Sequence, residues 1–79
     1  MPNLQEVAKS VVGNSGEVVV DQAEGRTGVN LNIFEPSTVE ERRRIYGIAF
    51  DLESRLRVAL TQAGATNIEF NTQYPRYGA

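Results

Sequence analysis

Apolar residues recur at intervals of three and four in two parts of the chain, the spacing of a helix with one buried face. The first part is 4–12, with Asn3 as its N-cap and Glu6 completing a capping box. The second part is 38–63, and Gly64 ends it. Its apolar positions form one stripe toward the core: Ile45, Ile48, Ala49, Leu52, Leu56, Ala59, Leu60 and Ala63. The pattern predicts one short and one long amphipathic helix.

Three other segments alternate apolar and polar residues, or carry β-branched runs, as half-buried strands do. They cover 17–23, 29–34 and 66–72, and a glycine-containing loop at 24–28 joins the first two as a hairpin. The resulting order is helix, strand, strand, helix, strand. It predicts an α+β fold in which a three-stranded sheet carries both helices on one face and polar side chains on the other.

We interpret 1–72 as a single α+β domain and 73–79 as an extended C-terminal tail, because Pro75 restricts its own backbone and that of Tyr74. Tyr74 and Tyr77 flank a proline and an arginine, a composition favoured at binding hot spots. The alternatives are a disordered end or a tail that folds back over its own sheet.

The long helix exceeds the length of its predicted sheet. Its 26 residues would span about 39 Å, whereas strands of six or seven residues span about 20 Å. We therefore expect either a break near Gly47 or a projecting N-terminal half that packs on something else. That half carries a second apolar strip, about 100 to 140° from the core stripe, formed by Val39, Tyr46 and Phe50. Phe34, which faces outward at the end of the second strand, extends this candidate partner-binding surface.

The sequence leaves three alternatives for what packs on this apolar strip. The first helix or the C-terminal tyrosines of the same chain could pack over it, a second copy of the chain could do so, or a foreign protein could. Length favours association, since a domain of 79 residues buries only about 60 to 65% of its unfolded surface and is stabilised little by its own core.

Composition removes most enzymatic chemistries. The chain contains no histidine and no cysteine. The usual ligands of zinc and iron–sulfur clusters are therefore absent, and so are disulfides and histidine-containing catalytic triads. Lys9 and Ser10 point about 100° apart on the first helix, which argues against a serine–lysine dyad. We expect no catalytic residues, no metal site and no cofactor.

The net charge of −2 argues against a generally basic nucleic-acid binder, although seven of the eight cations are arginine. Arg42, Arg43 and Arg44 form the only dense cationic run, and Arg26 lies in a G-x-x-G loop of the kind that clamps a nucleic-acid backbone in KH domains. That loop joins two strands here rather than two helices.

Carboxylates at helical spacing give most arginines of the long helix an expected intrahelical partner. The expected pairs are Glu40 with Arg43 or Arg44, Asp51 with Arg55, and Glu53 with Arg57.

No apolar run approaches the roughly 20 residues of a membrane span, and the first residues do not resemble a signal peptide. We expect a cytoplasmic protein without membrane association.

One short segment resembles the R-H-R-x-x-Y segment of BolA-like proteins: Arg42-Arg43-Arg44-Ile45-Tyr46-Gly47. The resemblance implies a KH-like fold of similar element order. The metal-binding histidine of that family has no counterpart here, where Arg57-Val58-Ala59-Leu60 stands, so a glutaredoxin or iron–sulfur partnership does not carry over. The element order is also similar to that of ring-building domains of secretion and flagellar basal-body rings, which assemble side by side.

The leading hypothesis is a non-enzymatic protein-interaction module that self-associates, as a dimer, through the N-terminal half of the long helix. The first alternative is a KH-like or BolA-like nucleic-acid-binding domain that uses the arginine-rich helix start and Arg26. The second is a small inhibitor or adaptor of viral or mobile-element origin.

Overall fold

The computed structural model describes residues 3–76 as three helices, a one-turn 3-10 helix and three strands. Asn3 is the N-cap of the first helix: its Oδ1 accepts hydrogen bonds from the amides of Gln5 and Glu6. The bounds are α1 Leu4–Val12, the 3-10 helix Gly13–Ser15, β1 Gly16–Ala23, β2 Arg26–Ile33, α2 Val39–Arg43, α3 Ile45–Gln62 and β3 Ile68–Gln73.

The three strands form one mixed sheet in the order β1-β2-β3. Strands β1 and β2 are antiparallel, with Val20 opposite Val29, and β2 and β3 are parallel, with Val29 opposite Phe70. Residues 3–76 therefore confirm the predicted α+β architecture with its helix–strand–strand–helix–strand order and its two layers.

The core lies between the sheet and the helices. Alternate residues of β2 (Val29, Leu31 and Ile33) are buried, as their pattern predicts. The stripe along α3 is also confirmed, since five of its eight residues are buried and the partly buried Ile48 and Ala63 pack against them. Buried contributors outside β2 are Leu4, Ala8, Val12, Val18, Ile45, Ala49, Leu52, Leu56, Leu60 and Ala65.

The predicted long helix is divided at Arg44, three residues before Gly47. Thr38 caps α2: its Oγ1 accepts a hydrogen bond from the Glu41 amide and donates one to the Glu41 carboxylate. Arg44 then leaves the helical conformation, with φ −104° and ψ 15°, before α3 begins at Ile45. The expected break is thus present, but Gly47 lies within the first turn of α3 rather than at the break.

The division removes the expected overhang. Helix α3 has 18 residues and spans about 27 Å, and the eight residues of β1 or β2 span about 26 Å. Both strands are longer than predicted: β1 begins one residue earlier, at Gly16, and β2 begins at Arg26 because the hairpin loop is only Glu24 and Gly25. The prediction that half of the helix projects beyond the sheet is wrong.

The hairpin and the start of β3 meet at one end of the sheet. Gly25 has φ +74°, a value that glycine adopts without strain in a two-residue turn. Asn67 precedes β3, and its side-chain amide donates a hydrogen bond to the Gly25 carbonyl. The second glycine of the G-x-x-G sequence, Gly28, is paired with Asp21 inside the sheet. These glycines therefore belong to a hairpin and its strand, and not to a loop between two helices.

Candidate interaction surface

One face of α3 carries two large aromatic side chains that are mostly exposed. Tyr46 is 70% exposed and Phe50 is 72% exposed. Glu53 and Arg57 follow at intervals of three and four residues, which places all four side chains on the same side of the helix. This row of four residues is called the α3 outer stripe below.

The chain beyond β3 contributes a third ring to this face. The Tyr74 ring lies edge-on to the Tyr46 ring, with ring centroids 4.8 Å apart and planes inclined at 61°. The interpretation in which a C-terminal tyrosine covers the strip is therefore correct in part. Tyr46 stays mostly exposed beneath this contact, and Tyr74 is itself partly exposed. Tyr46, Phe50 and Tyr74 are called the aromatic patch below.

The α3 outer stripe runs alongside β3. The Thr72 hydroxyl donates a hydrogen bond of 2.5 Å to Oε2 of Glu53. One turn further along α3, the Arg57 guanidinium lies 5.1 Å from the centroid of the Phe70 ring, within cation–π distance. The expected ion pair between Glu53 and Arg57 is not formed, because each side chain contacts β3 instead.

Two further residues of the predicted surface lie outside α3. Val39 is exposed, but it lies on α2, so the helical wheel that aligned it with Tyr46 does not extend across the break at Arg44. Phe34 is exposed just after β2, where its amide donates a hydrogen bond to the Ser15 carbonyl. Tyr77 lies outside the described residues.

The environment of Tyr74 raises the pKa of its phenol above the ordinary value. Desolvation by burial is the largest cause, followed by the negative charge of Glu53 and the proximity of Tyr46. All three causes require the residues after β3 to lie against α3. The titration of this tyrosine therefore reports whether the aromatic patch is assembled in solution.

We expect one tyrosine of the folded protein to ionise at higher pH than tyrosine in the unfolded chain, as followed by the ultraviolet absorbance of tyrosinate. Tyr74→Phe should remove that late component. Because the unfolded chain loses this proton first, folding stability should fall as pH rises from the unfolded tyrosine pKa toward that of folded Tyr74. An unchanged late component in Tyr74→Phe would contradict the assignment.

The arginines proposed for nucleic-acid contact are divided between two places. Arg26 begins β2 and pairs with Glu69 at 3.3 Å. Arg42 lies on α2, beyond the other end of β2, and pairs with Glu35 at 3.0 Å. The eight residues of β2 separate these places by about 26 Å. The fold thus gives no single cationic surface that joins Arg26 to Arg43 and Arg44.

Two other expectations concern charges and metals. Of the predicted intrahelical ion pairs, Asp51 with Arg55 is formed at 3.6 Å, whereas Glu40 forms no ion pair with Arg43 or Arg44. Within 3–76 no group of three or more histidine, cysteine, aspartate or glutamate residues is arranged to hold a metal ion. Nor does this part of the chain contain a helix long and apolar enough to cross a membrane.

Sequence patterns missed one further residue, Gln5. Its side-chain amide donates a 2.8 Å hydrogen bond to the Val18 carbonyl, and its Oε1 accepts one of 2.8 Å from the Val20 amide. Gln5 is a polar position of α1 in the sequence, and no periodic signal indicates that it binds the backbone of a strand.

No protein-family model, curated protein or solved structure matches this chain.

Proposed function

We propose that this chain is a non-enzymatic protein-interaction module that self-associates through the aromatic patch. The observation that carries the proposal is the exposure of Tyr46 and Phe50, at 70% and 72%, beside the partly exposed ring of Tyr74. Aromatic side chains are large, rigid and frequent among the residues that dominate binding energy.

The local geometry supports a preformed surface. Tyr46 and Phe50 lie one turn apart on α3, which is anchored by buried Leu52, Leu56 and Leu60. The Tyr74 ring is held against Tyr46. The backbone of α3 and the Tyr46–Tyr74 ring pair then need little further ordering when a partner covers these rings.

A second copy of the chain is the proposed partner. A chain of 79 residues without cysteine has no disulfide to supplement a small core, and burial of apolar surface between copies supplies that stabilisation. Arg26 and Arg42 lie at opposite ends of β2, and each pairs with a carboxylate. The nucleic-acid alternative therefore has no comparable support.

We expect the protein to be a dimer at high micromolar concentration in size-exclusion chromatography with light scattering. Phe50→Glu and Tyr46→Glu should each give a folded monomer, because a carboxylate would be buried within the interface. Val58→Glu is the matched control: Val58 is similarly exposed on the same helix but points about 80° or more away from the aromatic residues.

Two results would contradict the proposal. One is a wild-type protein that stays monomeric over the whole accessible concentration range. The other is a dimer whose dissociation constant is the same in Phe50→Glu, Tyr46→Glu and Val58→Glu.

A further inference from the structure

The two edges of the sheet differ in how their backbone groups are bonded. At the β1 edge, the side-chain amide of Gln5 binds the Val18 carbonyl and the Val20 amide, as a neighbouring strand would. Gln5 of α1 thereby satisfies two backbone groups in the middle of this edge. Covering an edge in this way protects that part of it against pairing with another chain.

The β3 edge is open. The Thr27 amide donates to the Asn67 carbonyl at 3.2 Å, so Asn67 points its backbone groups toward β2. Because backbone direction alternates along a strand, the amides and carbonyls of Ile68, Phe70 and Thr72 point away from β2. Within 3–76, β3 has a neighbouring strand on one side only. The aromatic patch and the α3 outer stripe border this same open edge.

On the basis of the proposed function, we propose that the second copy binds by pairing its β3 with this β3 in antiparallel orientation. The two three-stranded sheets then form one six-stranded sheet, with a twofold axis beside Asn71. In this register Thr72 exchanges both backbone hydrogen bonds with Phe70 of the second copy, and Tyr74 lies opposite Ile68 of the second copy.

Charge on the α3 outer stripe selects this register. Glu53 is bonded to Thr72, and Arg57 lies over Phe70, so the two charges stand symmetrically on either side of Asn71. The twofold axis brings Glu53 of each copy opposite Arg57 of the other, which gives two complementary pairs.

Neighbouring registers are disfavoured by the same charges. A slip of one residue would turn the side chains of β3 to opposite faces of the joined sheet. The next symmetric registers are centred on Phe70 or on Thr72. The register centred on Phe70 brings the Arg57 side chains of the two copies opposite each other, and the register centred on Thr72 does the same for Glu53. Both arrangements place like charges together and are repulsive.

A mixing experiment tests the pairing in trans. Glu53→Arg gives a chain with two positive charges on the stripe, and Arg57→Glu gives a chain with two negative charges. Each variant alone should dimerise about tenfold or more weakly than the wild type, since both pairs become repulsive. An equimolar mixture should form a heterodimer, detected by native mass spectrometry, with affinity near that of the wild type.

Hydrogen exchange tests the edge without any substitution. The amides of Ile68, Phe70 and Thr72 should exchange more slowly at concentrations where the wild type is dimeric than where it is monomeric. The amide of Val20, which is bonded to Gln5 in each copy, is the internal control, and its change should be smaller.

The possible outcomes separate this inference from the proposed function. Preferential heterodimers together with protected β3 amides support the edge pairing. A wild-type dimer that Phe50→Glu dissociates, but whose β3 amides are unprotected and whose charge variants do not recombine, overturns the edge pairing and leaves the aromatic interface. A wild-type protein that binds a foreign strand at β3 while remaining monomeric overturns both.

Discussion

Leu56→Ala is expected to lower the free energy of unfolding by about 2 to 5 kcal/mol. The Leu56 side chain is fully buried in the cluster where α3 meets the sheet. Removing it loses the transfer free energy of the deleted atoms and leaves a cavity, which together cost about 2 to 5 kcal/mol. A chain of this length has a total unfolding free energy of about 4 to 12 kcal/mol. One substitution therefore removes a large share of the stability.

Urea denaturation followed by circular dichroism measures this loss. Val58→Ala is the control, because Val58 lies two residues away on the same helix but is exposed, and its effect should stay within about 0.5 kcal/mol. Both variants must be compared at one protein concentration, since association makes the midpoint concentration-dependent. Equal midpoints for the two variants would contradict the assignment of Leu56 to the core.

Local periodicity was enough to predict the elements whose side chains enter the core. Strand β2 alternates strictly, and each apolar residue of that alternation is buried. The α3 stripe repeats with helical spacing because one side of the helix faces the sheet. In both cases burial imposes the pattern, so the pattern indicates the element.

The break at Arg44 is not visible in the sequence because α2 contributes no buried residue. Nothing in the local sequence resembles a helix terminator either, since Arg44 is neither proline nor glycine. Treating 38–63 as one helix wrongly aligned Val39 with Tyr46. It also gave a helix longer than the sheet, and therefore the expected overhang. The inferred exposure of Tyr46 and Phe50 agrees with the structure, although the argument from an overhanging helix was wrong.

The contacts around the candidate surface join residues that are distant along the chain. Tyr46 meets Tyr74, and Glu53 accepts a hydrogen bond from Thr72 rather than pairing with Arg57. Gln5 on α1 binds the backbone of β1. Helical spacing can predict partners within one helix, but which faces meet depends on the three-dimensional packing of the elements.

Gly16→Ala is expected to cost about 1 to 3 kcal/mol, the usual penalty for forcing atoms into a packed site. Gly16 begins β1 opposite Ile33, and a Cβ at this position would collide with the carbonyl oxygen of Asn32. The obstacle is backbone, which cannot rotate away as a side chain can. The backbone of Gly16 is extended, with φ 177°, so the cost comes from this close approach and not from an unfavourable dihedral angle.

Gly47→Ala is the matched control and should change stability in the opposite direction. A Cβ at Gly47 meets no atom within 4 Å, and alanine is favoured over glycine within a helix by roughly 0.5 to 1 kcal/mol. Thermal denaturation should thus lower the midpoint for Gly16→Ala and raise it for Gly47→Ala. A neutral Gly16→Ala would mean that β1 can move away from Asn32 without losing its pairing with β2, and the sheet would then be more deformable than its register indicates.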